Sequence, residues 1–134
     1  MATIHIDETR WPLVLVTFDG VSPEPEFDAY LERMATFLDR KTPTATVLDA
    51  TRAGATPPIQ RKKQADWMKT HEASLRRYSA GTAFVISSPM VRGILTAILW
   101  MQPMPQEHVV VATLPEAMKW AREKLRARGV ELAA

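Results

Sequence analysis

The stretch from Thr44 to Tyr78, TATVLDATRAGATPPIQRKKQADWMKTHEASLRRY, decides the reading of the fold. Thr46-Val47-Leu48-Asp49 is a short apolar run of the kind that makes a buried strand. A polar turn is expected from Ala50 to Pro58. Within it, Thr56 ahead of Pro57-Pro58 has the form of a helix cap followed by proline in the first turn. Beyond it, at about 3.6 residues per turn, Gln60, Gln64, Trp67, Met68, His71, Leu75 and Tyr78 share one face. Arg61, Lys62, Lys69 and Arg76 gather on the opposite side. One long amphipathic helix to Tyr78 is expected, closed by Ala80-Gly81. A buried strand running into such a helix is half of a parallel crossover unit.

Toward the N-terminus, Leu13-Val14-Leu15-Val16-Thr17-Phe18 is nearly continuous in apolar residues, as in a strand covered on both faces. Thr3-Ile4-His5-Ile6-Asp7 alternates, as a half-buried edge strand does. Glu8-Thr9-Arg10 reads as the turn of a hairpin between them. Asp19-Gly20 breaks the second strand. Ser22 reads as the N-cap of a first helix, with Pro23 at its first position and Glu24 and Glu26 near the positive end of its dipole. Phe27, Tyr30, Leu31, Met34, Phe37 and Leu38 recur on its inner face.

Toward the C-terminus, Thr82-Ala83-Phe84-Val85-Ile86 is another buried strand. Ser87-Ser88-Pro89 caps a third helix from Met90 to Gln102, stopped by Pro103 and Pro105. This helix carries Val91, Ile94, Leu95, Ile98, Leu99, Trp100 and Met101, with Arg92, Thr96 and Gln102 as its polar marks. A helix so apolar is expected to be covered on more than one side. His108-Val109-Val110-Val111-Ala112 is the last strand. Thr113-Leu114-Pro115-Glu116 has the form of a capping box, and Gly129 suits the end of the fourth helix. The order β-β-α-β-α-β-α-β-α predicts an α/β fold: a mainly parallel five-stranded sheet with one antiparallel edge strand. A single domain over residues 1–134 is expected.

The chain has no cysteine, which excludes disulfides, thiolate metal sites and a cysteine nucleophile. It has no run long and apolar enough for a membrane span. The N-terminal residues lack a basic region before an apolar run, so no signal peptide is expected. Residues 1–40 hold eight acids and three bases, residues 41–134 fourteen bases and seven acids. That asymmetry can steer a partner or be neutralised inside the fold, and the second is expected.

Taken together, Pro12-Leu13-Val14 with Phe18-Asp19-Gly20, Leu48-Asp49-Ala50-Thr51-Arg52, and Gln60-Arg61 to Ala65-Asp66-Trp67 resemble the STAS family. Gly81-Thr82-Ala83-Phe84-Val85 and Arg92-Gly93 add to the likeness, which is greatest for the SpoIIAA-like branch of small bacterial proteins. The resemblance implies a cytoplasmic, non-enzymatic signalling protein that docks to a regulatory protein partner. In the antagonists of that family a serine at the start of the second helix is phosphorylated, within an Asp-Ser-Ser-Gly-like motif. Here Ala53-Gly54-Ala55-Thr56-Pro57-Pro58 stands in that region, with no serine and Thr56 as the sole hydroxyl. The branch is also related in structure to CRAL-TRIO lipid carriers, which implies a small apolar ligand as an alternative.

Two candidate regions follow. Ends of parallel strands form the usual ligand crevice of an α/β sheet, which singles out Asp49, Thr51, Arg52 and Thr56, with Arg61 and Arg92 as nearby charge. There Thr56, Ser88 and Thr113 serve equally well as plain caps. The second region is the apolar surplus of the third helix at Leu95, Leu99 and Trp100, coverable by a second subunit in a homodimer, by an apolar ligand, or by the Pro103–Gln106 loop. His71 has no second metal ligand at helical spacing, and Ser74 has no nucleophile elbow, so no metal, cofactor or catalytic residue is assigned. The basic stripe has no interleaved aromatics and reads as a solvated face rather than a nucleic-acid surface.

Overall fold

The computed structural model describes residues 2–132. Its elements are β1 (Ile4–Arg10), β2 (Leu13–Gly20), α1 (Glu24–Asp39), β3 (Thr44–Ala53), α2 (Pro58–Thr70) and α3 (Glu72–Tyr78). They are followed by β4 (Ser79–Val85), α4 (Pro89–Met101), β5 (His108–Val111) and α5 (Leu114–Ala127). The five strands lie in the order β1-β2-β3-β4-β5. Only β1 with β2 is antiparallel, and the other pairs are parallel. The expected fold class is therefore met.

That order has a physical consequence. Each crossover advances one strand in the same direction, so right-handed crossovers all fall on one face of the sheet. Helices α1 to α4 accordingly pack on that face, and α5 alone covers β3, β4 and β5 from the other. Period-2 alternation divides each strand between the two layers. Ala45, Val47, Ala83 and Val85 meet Ala117, Met118, Ala121 and Leu125 of α5 in one dense cluster. Val14 and Val16 face α1, meeting Phe27, Tyr30 and Phe37.

Several local expectations change. Glu8-Thr9-Arg10 belongs to β1, and the turn shrinks to Trp11-Pro12. The Asp7 carboxylate accepts from the Thr9 N–H and hydroxyl (2.8 and 2.6 Å), and the pairing register shifts between Asp7 and Arg10. The first four residues of the expected turn after Asp49 are also strand: β3 runs to Ala53 because Arg52 and Ala53 pair with Asp19 and Gly20 at the end of β2. Ala80-Gly81 is interior β4 rather than a helix end. The long second helix bends at His71 (φ −102°, ψ 18°) into α2 and α3. The bonds His71 N–H to Trp67 C=O and Leu75 N–H to His71 C=O span the bend at 3.0 and 2.9 Å, so the chain turns toward β4 without losing them.

Capping follows the same pattern of partial agreement. Ser88 and Thr113 accept from the N–H groups of Val91 and Glu116 (3.5 and 3.4 Å) as expected of caps. Gly129, at φ +80°, closes α5: its N–H donates to Arg126 C=O and that of Val130 to Leu125 C=O. Ser22 and Thr56 are not caps, since Pro23 and Pro57 occupy those positions and bring no side-chain bond. Ser22 is instead buried, its carbonyl accepting from Gln60 Nε2 at 2.8 Å.

Part of the acid–base asymmetry is neutralised internally. Lys63 of α2 pairs with Glu24 and Asp28 of α1 and Arg52 with Asp19, while Glu8 pairs with Arg33 and Arg40 inside the acidic segment. Glu26 reaches from α1 to the start of β1. Its carboxylate accepts from the Thr3 hydroxyl (2.5 Å) and from the N–H groups of Thr3 and Ile4 (2.8 and 3.1 Å). The Thr3 hydroxyl bond, then the Ile4 and Thr3 N–H groups, hold the Glu26 pKa below its usual 4.5. A depressed carboxylate stabilises the fold above that value and loses its contribution as pH falls through the folded pKa. Glu26→Gln is therefore expected to flatten the decline of the melting temperature below pH 4.5, as read by thermal scans from pH 6 to about 3. An unchanged slope would show that the carboxylate is not linked to folding.

Candidate functional site

Packing is unequal on the two sides of the sheet. The α5 side is one continuous cluster, whereas the buried residues of the other side fall into three smaller ones. The space between these three is a chamber of about 180 Å³. Its floor is the sheet, through Phe18, Thr46, Leu48, Thr82, Phe84 and Ile86. Its walls are Tyr30 and Met34 of α1 and Gln64, Trp67 and Met68 of α2. Its roof is α4, through Val91, Ile94, Leu95, Ile98 and Leu99.

The roof stands off because α4 rests mainly on α2 rather than on the strands. Val91 at the start of α4 joins Phe84 and Ile86 of the floor, and Leu95 packs against that cluster. Val21 both lines the chamber and is 51% exposed, so the chamber meets the surface at the C-terminal ends of the strands. That is where open α/β sheets place ligands.

The chemistry of the lining is sharply limited. Among the described residues, no Asp, Glu, Lys, Arg or His lines the chamber, and its one titratable group is Tyr30. Burial pushes the Tyr30 phenol well above its usual pKa, so it remains neutral. Gln60 spends its amide donor on the Ser22 carbonyl. Gln106, from the loop before β5, donates through Nε2 to Thr82 Oγ1 at 3.0 Å. Among the described residues, two buried side-chain polar atoms have no protein partner: Gln106 Oε1 and Trp67 Nε1. Buried polar groups are nearly always satisfied, so each such orphan calls for an explanation.

The candidate residues separate into three places. Thr56, Leu95 and Leu99 line the chamber. Trp100 lies on the outer side of α4 and is 85% exposed, with Met90 and Met101 about half exposed on the same helix. The strand-end group does not converge on a common point. Asp49 accepts from the Thr51 N–H and hydroxyl (3.1 and 2.7 Å), and exposed Arg52 pairs with Asp19 at 3.2 Å. Arg61 donates to the Thr56 carbonyl at 2.8 Å, and Arg92 is exposed on α4. His71 stacks at 4.7 Å against Trp67 and is only half-buried.

Thr46, Thr82, Trp67 and Gln106 were not picked out by their sequence context as site residues. A faint signal existed: Gln60 and Gln64 share the inner face of α2 with Trp67 and Met68, and two threonines point inward from otherwise apolar strands. Inward polar residues of that kind mark either a satisfied core or a lined space, and spacing alone does not separate the two. The basic stripe on α2 and α3 is largely committed, with Lys62 paired to Asp66 and Arg76 to Glu72. Among the described residues, no group of three or more His, Asp or Glu gathers as a metal site would, and no helix is long and apolar enough to cross a membrane.

No family model matches the chain, and no curated protein sequence does. Solved structures do. A protein of the DUF3478 family with a SpoIIAA-like fold from Shewanella loihica superposes with a TM-score of 0.65 at 12% identity, over 88% of this chain and 91% of that one. An anti-sigma factor antagonist from Mycobacterium paratuberculosis gives 0.61 at 16% identity, over 90% and 93%. The anti-sigma factor antagonist SpoIIAA in its unphosphorylated form gives 0.63 at 14% identity, over 96% and 98%. The chain thus has the SpoIIAA-like fold.

Proposed function

We propose that residues 1–134 act as one cytoplasmic, non-enzymatic regulatory domain that docks a protein partner through the outer face of α4, and that the same face joins two copies of the chain. The observation that carries this reading is Trp100, a large aromatic side chain left 85% exposed beside half-exposed Met101. Tryptophan and methionine on a surface suit adaptable protein contacts. The fold shared with two anti-sigma factor antagonists supports a regulatory role. The self-bonded Asp49–Thr51 pair and the Asp19-paired Arg52 leave little at the strand ends for catalysis.

The structure also refines the test. Leu99 faces the chamber, so altering it would disturb the interior as well as the surface. Trp100→Glu is the cleaner change. Light scattering at rising protein concentration is expected to show a dimer for the wild type and a monomer for Trp100→Glu, which keeps a cooperative thermal transition but loses the dependence of its melting temperature on concentration. A wild-type monomer throughout would remove the self-association, and partner capture unaffected by Trp100→Glu would remove the docking face.

A second reading is favoured by the chamber itself. An engineered cavity of about 150 Å³ lined by apolar side chains binds benzene, and the chamber beneath α4 is somewhat larger at about 180 Å³. A small, largely apolar ligand between α4 and the sheet would make the domain a carrier or sensor. Its inner wall and the Trp100 surface are two sides of one helix, so a ligand that moved α4 would also move the docking face.

A further inference from the structure

We infer that the chamber selects a neutral, ring-sized molecule bearing one hydroxyl group, recognised by the Gln106–Thr82 pair. This deepens the ligand reading given above and rests on it. Three observations carry it.

The first is charge. Among the described residues, no Asp, Glu, Lys, Arg or His lines the chamber, and Tyr30 is held neutral by burial. A carboxylate, phosphate or ammonium placed inside would be desolvated with no counter-ion, at a cost far above what a small apolar body returns. Fatty-acid carboxylates and lipid headgroups are thereby disfavoured in the interior.

The second is the polar pair. Gln106 Nε2 donates to Thr82 Oγ1, Thr82 is 4% exposed, and Gln106 Oε1 is buried without a partner. Thr82, having accepted this bond, still has its own hydroxyl proton to give. The pair therefore offers one acceptor and one donor side by side. A ligand hydroxyl uses both, donating to Gln106 Oε1 and accepting from Thr82. Turning the Gln106 amide over exchanges the roles: Oε1 then accepts from Thr82, and the NH₂ group is left to donate to the ligand oxygen. A hydroxyl satisfies either arrangement.

The third is size. A space of about 180 Å³ exceeds the benzene-binding cavity of about 150 Å³ by little more than a substituent. A six-membered ring with one or two small groups fits wholly inside, whereas a long acyl chain would have to run out through the opening at the strand ends.

The test is calorimetric titration of the full chain with three probes: p-cresol, toluene and benzoate. The expected result is that p-cresol binds about tenfold tighter than toluene, the net return of its two hydrogen bonds after the hydroxyl has lost its water, and that benzoate does not bind. Gln106→Leu is expected to bring p-cresol down to the level of toluene, and Thr82→Val provides the same comparison should the first variant fail to fold. Equal binding of p-cresol and toluene by the wild type would overturn the polar recognition and leave the chamber reading standing. Benzoate binding as tightly as p-cresol would overturn the neutrality. Binding of none of the three would overturn this inference together with the ligand reading on which it rests.

Discussion

Leu125→Ala is expected to lower the unfolding free energy by about 3 kcal/mol, whereas Leu95→Ala is expected to cost about 1 kcal/mol. The two leucines lie on helices that cover opposite faces of one sheet. Leu125 has 0% exposure and sits in the continuous cluster made by α5 with Ala45, Val47, Ala83 and Val85. Removing it deletes contacts on every side and leaves a cavity that the backbone of α5 cannot close. That end of α5 is held by the Val130 N–H on the Leu125 carbonyl (3.0 Å), which the substitution leaves in place. Leu95 is half-buried and already faces the chamber, so some of the contacts a core leucine would lose are absent from the start. Urea unfolding of both variants measures the difference. Equal losses would mean that the space beneath α4 is filled as densely as the α5 side, and the ligand reading would fall with that result.

The second large effect is expected at Gly81. A Cβ there would stand 2.5 and 2.8 Å from the ring of Trp120, well inside contact distance. The glycine φ is not in the left-handed region, so the constraint is space rather than backbone strain. Trp120 is a half-buried residue of α5 packed against the cluster on that side of the sheet, with Lys124 5.3 Å over its ring and paired to Glu107. Gly81→Val is expected to destabilise by about 2 kcal/mol through overpacking, read as a lowered urea midpoint at unchanged slope. Adding Trp120→Ala should make the double variant more stable than the two single losses summed, because the clash needs both side chains. Strict additivity would show that Trp120 yields freely and that the close approach at Gly81 has no energetic weight.

These two sites show where local pattern stops being informative. Gly81 follows a helical stretch and reads naturally as its terminator, because glycine favours helix ends. Its actual role depends on Trp120, thirty-nine positions later in the chain. The turn expected after Asp49 went the same way. Ala50-Thr51-Arg52 carries no large apolar side chain, yet it remains strand because β2 offers it a partner as far as Gly20. The bend at His71 has no proline or glycine to announce it.

Helix α4 is the most instructive case. Its composition announced more apolar surface than one contact can bury. The structure divides that surface in two. Val91, Ile94 and Ile98 are buried and line the chamber together with half-buried Leu95 and Leu99, whereas Trp100, Met101 and Met90 face outward. The periodicity of the helix places residues on stripes but does not say how far away the neighbouring surface lies.

The sequence alone determined the kind and order of the elements apart from the bend that divides the second helix at His71, the single antiparallel pair, the absence of thiol chemistry and the apolar excess of α4. Each of these follows from spacing over a few residues or from composition, and such patterns are set before the chain meets itself. Tertiary structure alone decided the strand order, the crowding of four helices on one face against one on the other, and the hollow beneath α4. A hollow is what remains when distant elements, each well formed, are held apart by their mutual contacts. It is a property of the distances between them, and no local run of residues encodes it.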